Sequence, residues 1–289
     1  MMQSGFIGTA ILRLKIWDLS MRIADDINVH YGGREMDNSD VLRIAMQQQA
    51  IDLSCTQEDF YLNENKVVIS KENPKARSYL KLPVYCNLAS FGNNVVASVN
   101  ADISEVVLDY INKYPIEECF AVPNIFFLND ELQKHGWKIS FCAQRFLPDM
   151  NLIKPIPCNY ELKILQPDDY AHLYGVPGLG NALGSGRRKH LDKIAIGAYD
   201  GKTLIGLAGS SADCDTMWQF GIDVLPNYRR KGIAAALTSR LAVEILHLGI
   251  VQYTGNRWAN IRSLKTELAI GFRPAWVDML ASPIDTTSK

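Results

Sequence analysis

Residues 217–236 read MWQFGIDVLPNYRRKGIAAA, and their periodicity changes partway along. Trp218, Phe220, Ile222 and Val224 alternate with Gln219, Gly221 and Asp223. That is the period of a strand whose two faces meet different surroundings. Pro226-Asn227 breaks it. From about Tyr228, Ile233, Leu237, Leu241, Ile245 and Leu248 recur at three to four positions and form one helix stripe. A strand therefore runs into a tight turn, and the turn into a long helix. The turn carries Arg229, Arg230, Lys231, Gly232 and Ala234. Small residues let an anion approach the backbone, and the first turn of a helix offers N–H groups without intrahelical partners. The neighbouring cations favour a phosphate or pyrophosphate there. The plain alternative is a strand–turn–helix with a solvated basic turn.

Arg229-x-x-Gly232-x-Ala234 resembles the Arg/Gln-x-x-Gly-x-Gly/Ala signature of the GNAT superfamily of acyl-CoA-dependent N-acetyltransferases. The strand ending Ile222-x-Val224-x-Pro226 and the long helix give it the matching context. Asn260-x-x-Ser263, a short helix and Gly271-Phe272 resemble the next motif of that superfamily. The resemblance covers roughly residues 160–281. The words SADCDTMWQFGIDVLPNYRRKGIA and GFRPAWV are similar to a bacterial subgroup with an extra N-terminal domain.

The resemblance implies an α/β (α+β) fold, with a mixed central sheet flanked by helices in the C-terminal half. It implies acetyl-CoA as co-substrate. The pyrophosphate would lie on the backbone amides of Arg230, Lys231, Gly232, Ile233 and Ala234. Arg229 would fix the turn against the strand, with Arg230 and Lys231 at the mouth of the site. The pantetheine would lie along Ile222, Asp223 and Val224 like an added strand, and one N–H there would face the thioester carbonyl. Asn260, with Ser263 in the same motif, would bond the pantetheine arm; Asn260 is equally readable as a helix cap.

Acetyl transfer to an amine also needs a proton acceptor and a proton donor. Many members place a tyrosine four residues before the Gly-Phe pair to protonate the departing thiolate. This chain has Glu267 there, and a solvated glutamate is ionised at neutral pH. For the base, Asp223 lies on the central strand, and Asp213 and Asp215 lie at the turn before it. Asp223 and Glu267 are the catalytic candidates; Glu267 could serve as an acid only if strongly desolvated, and Asp223, Asp213 and Asp215 each have a bland reading as a turn or surface carboxylate.

At 289 residues the chain is comfortable for two domains. The division expected is an N-terminal α/β domain over 1–150 and the acetyltransferase domain over 159–289, joined by the proline-bearing segment PDMNLIKPIPC. A net charge of −1 gives no global pull toward nucleic acid or anionic membrane. The six cysteines show no CxxC pair and the five histidines are dispersed, so no metal site is expected. Reduced thiols fit a cytoplasmic protein. The apolar run 5–12 is too short for a signal peptide, and no stretch approaches a membrane span. Oligomeric state is not readable.

Within the N-terminal half, residues 1–50 read as mainly helical, with a cap at Asn38 or Ser39. Strands are expected at 66–70, 79–88, 95–99 and 118–122, and helices at 103–114 and 124–134. The order repeats the C-terminal half: Asn124, Ile125, Leu128, Glu131 and Leu132 align with Asn260, Ile261, Leu264, Glu267 and Leu268. The half reads as a divergent GNAT-like copy, though any helix closing on a Gly-aromatic pair would match as well. Its counterpart of the phosphate turn, Val99-Asn100-Ala101-Asp102-Ile103, has no glycine and carries a carboxylate, so no acyl-CoA is expected there.

In the C-terminal half, strands are expected at 160–164, 195–199, 204–208, 251–254 and 275–280. The glycine-rich segment 177–186 fits no dinucleotide fingerprint and reads as a mobile loop over a substrate cleft. Arg187-Arg188-Lys189-His190 reads as a solvated face. Two functions follow: an acetyl-CoA-dependent N-acetyltransferase acting on a small-molecule or peptide amine, or a non-catalytic acyl-CoA-binding or sensing protein.

Overall fold

The computed structural model describes residues 29–285 except 32. The expected helical character of 1–28 and the apolar run 5–12 lie outside the described residues. In chain order the elements are β1 (His30–Tyr31), β2 (Arg34–Glu35), α1 (Asn38–Leu53), β3 (Lys66–Ile69), β4 (Cys86–Ser90), β5 (Val96–Val99), α2 (Ser104–Lys113), α3 (Ile116–Cys119), α4 (Asn124–Lys134) and β6 (Trp137–Pro148). They continue with β7 (Glu161–Leu165), α5 (Pro167–Tyr170), β8 (Asp192–Asp200), β9 (Thr203–Ser211), β10 (Met217–Val224), α6 (Ile233–His247), β11 (Val251–Asn256), α7 (Ile261–Ala269) and β12 (Phe272–Pro283).

The chain forms two compact units whose segments alternate along the sequence. The first takes residues up to Val41, Pro148–Tyr253 and Lys265–Arg273; the second takes Leu42–Leu147, Thr254–Leu264 and Pro274 onward. The crossing at Leu147/Pro148 falls beside the proline-bearing segment. The later crossings, inside β11, α7 and β12, have no signal of composition.

In the first unit, β7, β8, β9 and β10 pair antiparallel in that order. β10 also pairs parallel with the start of β11. One face of this sheet packs on α6. Ile233, Leu237, Leu241 and Ile245 are each at most 1% exposed and meet Ile194, Ile196, Ile205, Ala208 and Trp218. Each such side chain contributes about 1.5–3 kcal/mol on burial. The opposite face is covered by α5 and the segment after it, through Tyr170, Leu173, Leu179, Ala182 and Leu183. α6 starts later than the change of period read near Tyr228 suggests. Pro226–Tyr228 forms a 3-10 turn, and the positive φ of Arg230 (63°) and Gly232 (78°) keeps the helix from beginning before Ile233.

The second unit also has a mixed sheet. β3 is parallel to β5, while β4 is antiparallel to both β5 and β12. Its core joins Leu88, Val95, Ala97, Val107, Ile111, Leu128, Leu132 and Met279. Two expectations change here. The strand expected at 118–122 is absent, because Pro115 caps α3 and Glu117 and Glu118 occupy its first turn, where acidic side chains favour a helix start. The strand expected from 79 begins only at Cys86. Upstream, Arg77 is drawn into the core by Asp52 (2.6 Å) and Gln49 (2.8 Å), which holds that stretch as a loop. The two halves also differ in topology: the parallel partner of β5 is β3, which precedes it, whereas β11 follows β10 through α6. At Asn100 the side chain accepts the Asp102 N–H at 3.0 Å. The residue's own oxygen thus occupies an amide of this turn.

Candidate functional site

The alternation of β10 has a structural meaning on both faces. Trp218, Phe220, Ile222 and Val224 join the cluster under α6. Gly221 and Asp223 face the segment 177–186. A Cβ on Gly221 would stand 1.9 Å from the Asn181 carbonyl oxygen, and one on Gly209 2.3 Å from that of Ala182. Both strand glycines are therefore required by a backbone lying on the sheet. Asp223 holds that backbone. Its carboxylate accepts the N–H of Asn181 (2.7 Å), the N–H of Ala182 (2.9 Å) and the side-chain amide of Asn181 (2.8 Å). The glycine-rich segment is anchored at its centre, in contrast to the mobile loop expected.

β10 is open along part of one edge. Met217, Trp218 and Gln219 pair with Val251, Gln252 and Tyr253, and there the register with β11 ends. From Phe220 to Val224 the strand has a strand partner, β9, on one side only among the described residues. The free edge leads into the turn. Arg229 Nε donates to the Val224 carbonyl at 2.9 Å and ties the turn to the strand end. Arg230 and Lys231 are exposed. Lys231 leans on aromatic rings, 4.9 Å from the Tyr228 centroid and 3.3 Å from the Tyr160 hydroxyl. The first backbone bond of α6 runs from the Ala236 N–H to the Gly232 carbonyl, 3.1 Å. The amides of Ile233, Ala234 and Ala235 precede it and are the usual orphan donors of a helix start. An open strand edge ending at such donors suits a long, extended ligand with a phosphate end.

The remaining candidates have surroundings of their own. Glu267 is buried, 2% exposed, the kind of surroundings in which an acid role is open to it. Asp213 is also buried; it pairs with Arg188 at 2.6 Å and accepts from the Tyr253 hydroxyl at 3.3 Å. Arg188 is thus paired with the turn between β9 and β10 rather than part of a solvated face. Asp215 is exposed. Asn260 and Ser263 belong to the second unit, where the Asn260 side chain and carbonyl accept the N–H groups of Ser263 (3.4 Å) and Leu264 (3.1 Å), as a helix cap does.

Asn181 was not singled out from the sequence. The glycines at 209 and 221, inside strand patterns, were the available sign of a close backbone approach. A second polar group was also missed. Asp192, 5% exposed, accepts from the hydroxyls of Tyr174 (2.8 Å) and Ser211. Burial and that hydrogen bond push the Tyr174 phenol well above its ordinary range. Among the described residues there is no group of three or more His, Cys, Asp or Glu that could hold a metal ion. No described helix is long and apolar enough to cross a membrane.

No family model and no curated protein matches this chain. Solved structures align with part of it. An acetyltransferase of the GNAT family from Colwellia psychrerythraea is 13% identical, with a TM-score of 0.39 over 50% of this chain and 56% of that one. A GCN5-related N-acetyltransferase from Kribbella flavida is 13% identical, with a TM-score of 0.41 over 56% of this chain and 64% of that one. AAC(6')-Iy in complex with a CoA-based bisubstrate analogue is 20% identical, with a TM-score of 0.33 over 40% of this chain and 92% of that one. The chain thus spans 56% and 64% of the first two. None of these similarities assigns a role to a residue of this chain.

Proposed function

We propose that the first unit binds acetyl-CoA and that the protein transfers its acetyl group to a primary amine of a small molecule or peptide. The observation that supports this most is the free edge of β10 from Phe220 to Val224 running into the turn Arg229–Ala234. Backbone groups of Ile222, Asp223 and Val224 would pair with the pantetheine amides as a further strand would. The amides up to Ala234 would take the pyrophosphate, with Arg230 and Lys231 adding charge. The amine nitrogen attacks the thioester carbonyl, the C–S bond breaks as the tetrahedral intermediate collapses, and the proton lost by the nitrogen balances the thiolate.

Asp223 accepts three hydrogen bonds already, so we assign it to positioning the 177–186 segment rather than to taking that proton. The same observation favours the second reading, an acyl-CoA-binding protein without catalysis. A thiol-release assay with acetyl-CoA and an amine panel tests the two. CoA release that depends on the amine supports transfer; acetyl-CoA binding without release across the panel supports binding alone.

A further inference from the structure

The second unit contains a cleft of about 820 Å³ that no part of the transfer scheme uses. Its size lies within the range of small-molecule sites. Its wall is mostly apolar and includes four aromatic side chains, Phe91, Phe120, Trp258 and Trp276. Trp276 is 3% exposed and stacks on Phe91, with centroids 5.5 Å apart at 23°. Phe120 closes another side and is 7% exposed. Trp258, in the segment before α7, also lines the cleft and is 62% exposed. An exposed indole at the rim of an apolar cleft leaves a large face uncovered.

The polar lining is sparse and of one sign. Among the described residues Glu117 is the one charged residue of the wall, and its carboxylate has no hydrogen-bond or ion-pair partner there. Gln144 offers an amide. The buried cation behind the wall, Arg77, lies 5.7 Å from the Trp276 centroid and is already neutralised by Asp52 at 2.6 Å. Indole faces attract cations, and an unpaired carboxylate does the same.

We infer that this cleft binds a small organic cation: a primary amine on an apolar body about the size of one aromatic ring. The ring fills the space between Trp276, Phe120 and Trp258, and the ammonium lies toward Glu117. That such an amine is also the acetyl acceptor rests on the reading under Proposed function; the site itself does not.

Calorimetry on the full chain tests the site directly, without acetyl-CoA, using phenethylamine, tryptamine and cyclohexylethylamine. 2-Phenylethanol and 3-phenylpropionate serve as the neutral and anionic counterparts. Binding of at least one amine with Kd below about 1 mM is expected, with the alcohol weaker and the acid weakest. Glu117→Gln, on an exposed side chain, should weaken the amines about fivefold and leave the alcohol unchanged. Trp258→Ala should weaken both roughly tenfold. Neither variant removes a core residue, and unchanged melting would confirm that both are folded. Absence of binding by all three amines, or affinities that neither variant alters, would overturn the inference. Amine binding that depends on Trp258, with no CoA release by any amine, would uphold the cleft and overturn the transferase reading. CoA release with hydrophilic amines alone, and no binding here, would do the reverse.

Discussion

Asp223 and Asn181 are joined twice: one carboxylate oxygen accepts the Asn181 backbone N–H at 2.7 Å and the other accepts its side-chain amide at 2.8 Å. The strand carboxylate thereby fixes the middle of a segment that its glycines would otherwise leave loose. The carbonyl oxygens of Asn181 and Ala182 lie so close over Gly221 and Gly209 that no Cβ fits at either. The pair and the two glycines form one unit of packing.

Asp223→Ala should therefore act first on stability. It removes three hydrogen bonds to a charged acceptor, worth about 2 kcal/mol together where they are partly exposed. A lower melting temperature and faster proteolytic cleavage within 177–186 are expected. Loss of CoA release in Asp223→Asn with melting and cleavage unchanged would instead make Asp223 the general base.

Arg229, Arg230 and Lys231 should not be equivalent. Arg229→Ala loses the bond to the Val224 carbonyl and with it up to about 1 kcal/mol, so melting and acetyl-CoA affinity should fall together. Lys231→Ala should weaken acetyl-CoA only a few-fold, since an exposed charge near a helix start is worth on the order of 0.3–1 kcal/mol. Salt should erase that loss by screening. A salt series of affinities with melting curves checks both. Equal behaviour of the two variants would mean an undifferentiated basic patch.

Arg230 has a φ of 63°, a left-handed conformation that costs a residue with a side chain about 1 kcal/mol and costs glycine little. Arg230→Gly should leave melting unchanged or raised while weakening acetyl-CoA a few-fold. A clear drop in melting temperature would contradict this geometry.

Cys55 should be unreactive despite being only half-buried. Desolvation, with the Asp59 charge beside it, pushes its thiol up to about 12. At pH 8 the nucleophilic thiolate is then about one part in ten thousand, and the fraction grows only as pH climbs toward that value. Native chain treated with iodoacetamide at pH 8 should show no adduct on the Cys55 peptide by mass spectrometry. Alkylation at the rate of free cysteine would contradict it.

The legible parts of this chain were those carried by local period and by glycine. The alternation from Trp218 to Val224 and the stripe from Ile233 to Leu248 appear as strand and buried helix face. The pull of long-range partners was not legible. Arg77 enters the core because Asp52 and Gln49, more than twenty residues away, are buried there, and a strand pattern gives way to a loop. Likewise the Asp223 carboxylate has its partners 42 and 41 residues upstream, so its occupancy could not be read from spacing. The alternation of the two units inside β11, α7 and β12 is of the same kind, since no composition change marks it.

At the turn, Gly232 has a φ of 78° and no atom lies within 4 Å of an added Cβ. Gly232→Asp meets no clash and places a helix-start side chain where aspartate is tolerated, so melting should shift by no more than about 1 kcal/mol in stability. Its carboxylate would stand where the pyrophosphate is proposed to lie. Calorimetry of acetyl-CoA on the full-length chain should give one site per chain, and Gly232→Asp should abolish it while circular dichroism and melting stay native-like. Unchanged affinity in a folded Gly232→Asp would contradict the assignment and place the phosphate elsewhere.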